Sequence, residues 1–290
     1  MVLSACAALT LLAGTAEAQV GPAVRIQGAP VAAQAIRARF AFSMSGNRIV
    51  WVNEADEVYY HRVNGNRVDM QIRMRGQTVG MRGDPTKYVI PESNTRILVV
   101  TQRGDVYRHE IRSESISAPA QIPGAPVGTG NQDPFFMFMI GNQLVNVTRQ
   151  GEIWAHNISR TVEPPRRIGR YQISTPRVVR HVFNLGRTVY VISDQGEIYA
   201  HDIHPEVGQG RLVNTRTLEL GHQDTRFVFV MGNRLFAVNT RGETWAHDIS
   251  RLMPQMPPGG MPPGQAPPGG AAPGQAPPAG GAAPAPAPAQ

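Results

Sequence analysis

The chain is poor in cysteine, in lysine and in long apolar runs. Its single cysteine, Cys6, lies close to the N-terminus, and 27 of its 28 basic residues are arginine. One cysteine excludes a disulfide framework within the chain and any cysteine-based metal cluster. No uninterrupted run of about 18 apolar residues occurs, which excludes a multi-span helical membrane protein. Charge is also missing from one region. Residues 252–290 hold no Asp, Glu, Lys or Arg, but 13 of the 25 prolines and 8 of the 30 glycines. Catalytic signatures are absent too: there is no Gly-x-Ser-x-Gly, no His-Glu-x-x-His and no phosphate-binding glycine loop.

These absences divide the 290 residues into three parts. Residues 1–18 read as an export signal. Ala7 to Gly14 is a short apolar run, and Ala16-Glu17-Ala18 offers small residues before Gln19. No basic residue precedes the run, and Leu3-Ser4-Ala5-Cys6 also fits a lipid-anchor motif through Cys6. The expected location is therefore outside the cytoplasm: periplasm, cell surface or medium. Residues 254–290 are Pro/Gly/Ala low complexity. They lack the apolar side chains needed to offset chain entropy, so a disordered spacer is expected. Residues 19–253 hold all the basic residues and 20 of the 21 acids, and are expected to carry the fold.

That middle part repeats. Gly46-Asn-Arg-Ile-Val-Trp-Val leads to Glu57-Val-Tyr-Tyr-His61. Equivalent runs lead to His109, His156, His201 and His247, spaced 48, 47, 45 and 46 residues apart. Each copy opens on an alternating pair: Phe40/Phe42, Tyr88/Ile90, Phe136/Phe138, His181/Phe183 and Phe227/Phe229. A turn and a β-rich run follow, as in Leu235-Phe-Ala-Val238. A polar turn then leads into Glu-x-Trp/Tyr-Ala-His. A fourth strand falls in a more variable stretch, for example 166–173 or 211–220. Four short strands in about 46 residues, five times over, predict an all-β, five-bladed β-propeller. The fifth copy runs into the proline segment after its third strand. Its fourth strand is available at the N-terminus, because Val24-Arg-Ile-Gln-Gly-Ala-Pro-Val31 matches Ala120-Gln-Ile-Pro-Gly-Ala-Pro-Val127. Residues 22–31 are therefore expected to pair near 242–250 and close the ring.

Phe-x-Phe followed by Leu-Phe-Ala-Val-x-x-x-Gly-x-x-Trp resembles the tachylectin and tectonin group of propeller lectins, over roughly residues 20–250. The resemblance implies a five-bladed fold and a capacity to bind sugar. The Gly-Gly-Trp segment of that family is absent, and the third strand here ends in His, so no family binding residue transfers.

Two repeated patterns could carry function. The first is the acid–aromatic–histidine set: Glu57/His61, Asp105/His109, Glu152/Trp154/His156, Glu197/His201 and Glu243/Trp245/His247. On a strand these side chains share one face. They could form five sugar sites, or a polar network that ties the repeats together. The second lies one residue before each aromatic pair: Arg39, Lys87, Phe135, Arg180, Arg226. Four of the five are basic. Together with the turn residues Arg103, Arg149 and Arg241 they are expected on one face, as an anion-attracting surface or a solvated rim.

The formal net charge of +7 invites a nucleic-acid reading. An exported chain favours instead an anionic glycan or other envelope component, or an envelope protein. No metal, cofactor or catalytic role is expected. The acids that break the repeat are Asp84, Asp133 and Asp224. Two glycosylation sequons, at Asn146 and Asn157, fall in or beside strands and read as coincidences.

Overall fold

The computed structural model describes residues 20–32, 37–129, 134–169, 172–173, 178–203, 207–214 and 224–253. The expected leader at 1–18, with Cys6, and the Pro/Gly/Ala segment at 254–290 lie outside them. So do Asp133 and most of the expected strand at 211–220.

The described residues are all-β. Five times, an inner strand pairs antiparallel with a second strand and the second with a third. The inner strands are Ala38–Met44, Thr86–Ser93, Pro134–Ile140, Val179–Leu185 and Thr225–Met231. The second strands are Arg48–Asn53, Arg96–Thr101, Gln143–Thr148, Thr188–Ser193 and Arg234–Asn239. The third are Val58–Asn64, Val106–Arg112, Ile153–Asn157, Ile198–Asp202 and Thr244–Asp248. Second strands show five consecutive buried residues. They are covered on both faces, which explains their largely apolar sequences, interrupted inside the strand only by the buried Asn146.

A fourth strand completes each sheet. In the first four repeats it follows the third: Ile72–Arg73, Ala120–Ile122, Arg166–Arg167 and Arg211–Asn214. In the third repeat the regular pairing stops before Gly169, where φ turns positive. In the fifth repeat the fourth strand is Val24–Gly28, antiparallel to the third, with Val24 opposite Ala246 and Ile26 opposite Thr244. The N-terminal closure expected from the sequence is present.

The core consists of five layers, each between consecutive repeats. Val50, Val52 and Tyr60 of the first repeat pack on Ile97 and Val99 of the second. Ile90 and Leu98 pack on Leu144, Val145 and Val147 on Val189 and Val191, and Tyr190 and Ile192 on Leu235 and Ala237. Phe236 and Val238 of the fifth repeat return to Ile49 and Trp51 of the first. Burying each such side chain contributes about 1.5–3 kcal/mol. The inner strands neighbour one another in the same cyclic order, the fifth beside the first.

A second seam runs outside these layers. At the end of a fourth strand, or two or three residues beyond it, the chain crosses onto the next repeat at a glycine: Gly28 on Val68, Gly76 on Ile116, Gly124 on Val162, Gly169 on Val207. At Gly124, φ is +142°, and a Cβ would stand 2.2 Å from the Val162 carbonyl oxygen. Only glycine allows that approach. Three residues beyond the first three of these glycines, and four beyond Gly169, an apolar residue returns to bond the preceding sheet. Val31 donates its N–H to Gly242, Val79 to Asp56, Val127 to Gly104 and Ile173 to Gly151.

Candidate functional site

The third strand carries, in every repeat, a buried histidine, in its middle in the first two and next to its last residue in the other three. His61, His109, His156, His201 and His247 are 2% exposed or less. Nδ1 of each lies against a backbone carbonyl: Asp69 at 2.9 Å, Ser117 at 3.0 Å, Glu163 at 3.0 Å, Gly208 at 3.3 Å and Gly21 at 3.1 Å. An N–H at Nδ1 donates there, so in the neutral ring the proton sits on Nδ1. Burial holds His61, His109 and His156 below the ordinary imidazole range, partly offset by these backbone bonds. The five imidazoles therefore meet protein rather than solvent. Four of them pin the chain that follows the third strand, and His247 pins the N-terminal segment at Gly21.

The acids of the same motif reach sideways to the fourth strand. Glu57 pairs with Arg73 at 2.6 Å, Glu152 with Arg167 at 3.1 Å and Glu243 with Arg25 at 2.9 Å. Hydrogen bonds from Asn53 and Tyr59, with Arg73 nearby, hold the Glu57 carboxyl below its usual range. Glu197 accepts from the Tyr199 hydroxyl at 3.0 Å. In all five repeats the acid's backbone N–H donates to the side-chain oxygen four residues back, on Asn53, Thr101, Thr148, Ser193 or Asn239. Trp154 and Trp245 are half-buried, opposite Arg167 and Arg25 across the strand pair.

The basic pattern gathers at the rim of a central cavity of about 460 Å³, lined by four or five residues from each inner strand. Guanidinium of Arg39 lies over the Phe40 ring at 5.1 Å, and that of Arg226 over Phe227 at 5.1 Å. The Lys87 ammonium lies over Tyr88 at 5.9 Å. Each cation also reaches forward to a backbone carbonyl: Arg39 to Thr86, Lys87 to Gly128, Arg226 to Ala38. Arg180 is exposed, beside His181, which takes the aromatic position of its repeat. Burial first, and the Arg180 charge second, push the His181 imidazole down to about 4.

The turn arginines share this face. Arg149 lies over Phe135 at 5.7 Å, and Arg103 donates its N–H to the Asp84 carboxylate at 3.4 Å. Arg241 pairs with Glu243 at 3.1 Å. The rim is not purely basic. Asp84 is buried beside Arg103, the Asp224 carbonyl accepts from the Thr240 N–H, and Asp56 lies 3.7 Å from Arg39. Asp56 escapes the sequence reading. It occupies, at φ +59°, the turn position held by Gly104, Gly151, Gly196 and Gly242. Burial raises its carboxyl above the usual range, opposed by a Thr86 hydrogen bond and by Arg39. Its signal was the missing glycine of the first repeat.

Among the described residues no group of His, Cys, Asp and Glu is arranged to hold a metal, and no helix is long and apolar enough to cross a membrane. Of the two sequons, Asn146 is fully buried and Asn157 is tied to Glu163 at 2.7 Å.

No protein-family model matches the chain, and no curated protein matches it. Among solved structures it is similar to BamB from Moraxella catarrhalis, with 11% identity over 72% of this chain and 69% of that one, at a TM-score of 0.35. It is similar to Myxococcus xanthus glutaminyl cyclase, with 10% identity over 78% and 96%, at a TM-score of 0.48. A third similar structure is YCF48 bound to D1 peptide, with 14% identity over 77% and 68%, at a TM-score of 0.39. Likeness this distant carries no argument about activity or ligand.

Proposed function

We propose that the chain is an exported, five-bladed β-propeller of the tachylectin and tectonin type. It acts as a non-enzymatic binding module that takes an acidic glycan chain at the mouth of its central cavity. Five core layers in cyclic order and the Val24–Gly28 closure support the blade count. Export rests on the reading of residues 1–18.

One observation carries the ligand class. Arg39, Lys87 and Arg226 stand over the rings of Phe40, Tyr88 and Phe227 at one level of the cavity rim. An aromatic ring offers an apolar face to the C–H side of a sugar. A guanidinium beside it offers a fork for a carboxylate or phosphate. One hydrogen bond to a backbone carbonyl uses part of an arginine's five N–H donors, leaving others for a ligand. The buried histidines lend no support to a sugar site of their own.

Calorimetric titration with an oligogalacturonate and with its carboxyl-reduced neutral counterpart tests this. Binding of the acidic chain alone supports the proposal; equal binding of both, or of neither, contradicts it. The second reading is a scaffold for an acidic envelope protein, since the same cations would attract acidic side chains. A stoichiometric partner captured from an envelope extract and retained in excess oligogalacturonate would favour it.

A further inference from the structure

The five-fold basic pattern of the rim breaks at one place, and a cleft lies at the break. Where four repeats carry Arg39, Lys87, Arg180 and Arg226, the third carries Phe135. At three of those four seams the cation reaches a backbone carbonyl toward the next repeat around the ring: Thr86, Gly128 or Ala38. A phenyl ring has no donor, so the seam between the third and fourth repeats lacks that bond. In its place is a cavity of about 370 Å³ lined by Phe135, Phe136, Val147, Ile173, Val178 and Val182, with Arg149 at its lip. It shares Phe135, Phe136 and Val182 with the central cavity.

Two further observations point to a ligand. Phe135 is 37% exposed and Val178 is 64% exposed. They are two of only five large hydrophobic side chains left exposed among the described residues, and both line this one cleft. Clustered exposed apolar surface marks binding more often than chance exposure does. The Arg149 guanidinium lies over the Phe135 ring at 5.7 Å and forms no ion pair among the described residues. Of the other turn arginines, Arg241 has Glu243 at 3.1 Å, while Arg103 has only a backbone N–H bond to Asp84 and, unlike Arg149, lines no such cleft.

We propose that this cleft is a separate site for a small organic carboxylate with an aromatic or branched apolar body. The body would cover Phe135 and Val178, and the carboxylate would supply the missing counter-charge to Arg149. Partial enclosure by apolar walls strengthens such a charge-assisted bond. The volume suits a small molecule rather than a protein surface. The site is independent of the glycan reading, because it uses none of Arg39, Lys87 or Arg226.

The test uses 3-phenylpropanoate and its neutral amide as probes, with titration followed by ligand-detected NMR and calorimetry on the full chain. The acid should bind at least about tenfold more tightly than the amide. Arg149→Gln should reduce the acid to the amide's affinity. Phe135→Arg restores the cation of the other repeats and fills the cleft, so it should abolish binding while keeping a cooperative melt. Val178→Ser, on an exposed side chain, provides a second variant with little risk to folding and should weaken both probes. Arg39→Gln should leave both affinities unchanged, which separates this site from the channel mouth. Equal affinity for acid and amide would overturn the proposal, as would no binding, undiminished binding by Phe135→Arg, or binding only of a peptide ending in Phe.

Discussion

His247 Nδ1 lies 3.1 Å from the carbonyl oxygen of Gly21, across 226 residues of chain. The same bond joins His61 to Asp69 eight residues on, and His156 to Glu163 seven residues on. The N-terminal segment thus occupies, for the fifth repeat, the place that the following residues occupy in the others. A local bond in four repeats becomes a ring-closing bond in the fifth.

Replacing His247 with Phe should therefore cost about 1–3 kcal/mol, the range for leaving a buried polar group without its partner. His61→Phe should cost a similar amount. Urea denaturation checks both, and the two should differ in one respect. His247→Phe should also expose residues 20–28 to limited proteolysis, because it loosens a terminus rather than an internal turn.

Acid should weaken the fold before it protonates most carboxylates. Unfolded histidines titrate near pH 6.5, and burial holds His61, His109 and His156 below that value in the folded chain. His181 is held at about 4. Between the folded and unfolded values the unfolded chain binds more protons. Stability is then fully present above about pH 6.5 and is lost as pH falls below it. Asp56, raised by burial, works in the opposite sense, but it is one group against four. Melting temperatures from pH 8 to pH 4.5 should fall steadily below about 6.5; a flat profile down to 5 would contradict this.

Glycine at the seam should be far less replaceable than glycine in a hairpin. Gly124→Ala places a Cβ 2.2 Å from the Val162 carbonyl oxygen, whereas Gly141→Ala, at φ +60°, meets nothing within 4 Å. The hairpin substitution should cost about 1–2 kcal/mol from its left-handed backbone alone. The seam substitution should cost more, because backbone must move as well. Denaturation midpoints of the two variants provide the comparison, and Gly76→Ala should follow Gly124→Ala.

Ion pairs should differ in worth according to burial. Arg73 is 64% exposed, so Arg73→Ala should change stability by about 1 kcal/mol or less despite its 2.6 Å contact with Glu57. Glu92 is 12% exposed and accepts from Arg108 Nε at 2.8 Å, with Arg96 also near. Glu92→Gln should cost about 1–3 kcal/mol. A reversed order would show that the Glu57 network contributes more than its exposure allows.

The strand repeat was legible because the inner, second and third strands keep their residue types at fixed spacing, from Phe40/Phe42 to the final histidine. The closing strand was legible because 24–31 matches 120–127. Whether the histidines faced ligand or protein was not legible. Alternation along a strand gives a face, but only the packed neighbour shows that His61 meets the Asp69 carbonyl. The seam glycines were only partly legible: Gly28-Ala-Pro-Val31 recurs as Gly124-Ala-Pro-Val127, but Gly76-Gln-Thr-Val79 keeps only the Gly-x-x-Val spacing, and Gly169 stands four residues before Ile173. The cleft at Phe135 was visible only as a gap in the basic pattern. Its depth depends on Val147, Ile173 and Val178, which lie in three separate stretches of chain.

The central claim is that the cavity mouth binds an acidic chain through Arg39 and Arg226. Its most direct test is the salt dependence of oligogalacturonate affinity, measured between about 50 and about 300 mM salt, where screening changes most. The wild-type chain should bind more weakly as salt rises. Arg39→Gln combined with Arg226→Gln should bind more weakly at low salt and show a shallower dependence, with folding verified by its melt. An identical affinity and slope for the wild type and the double variant would contradict the account.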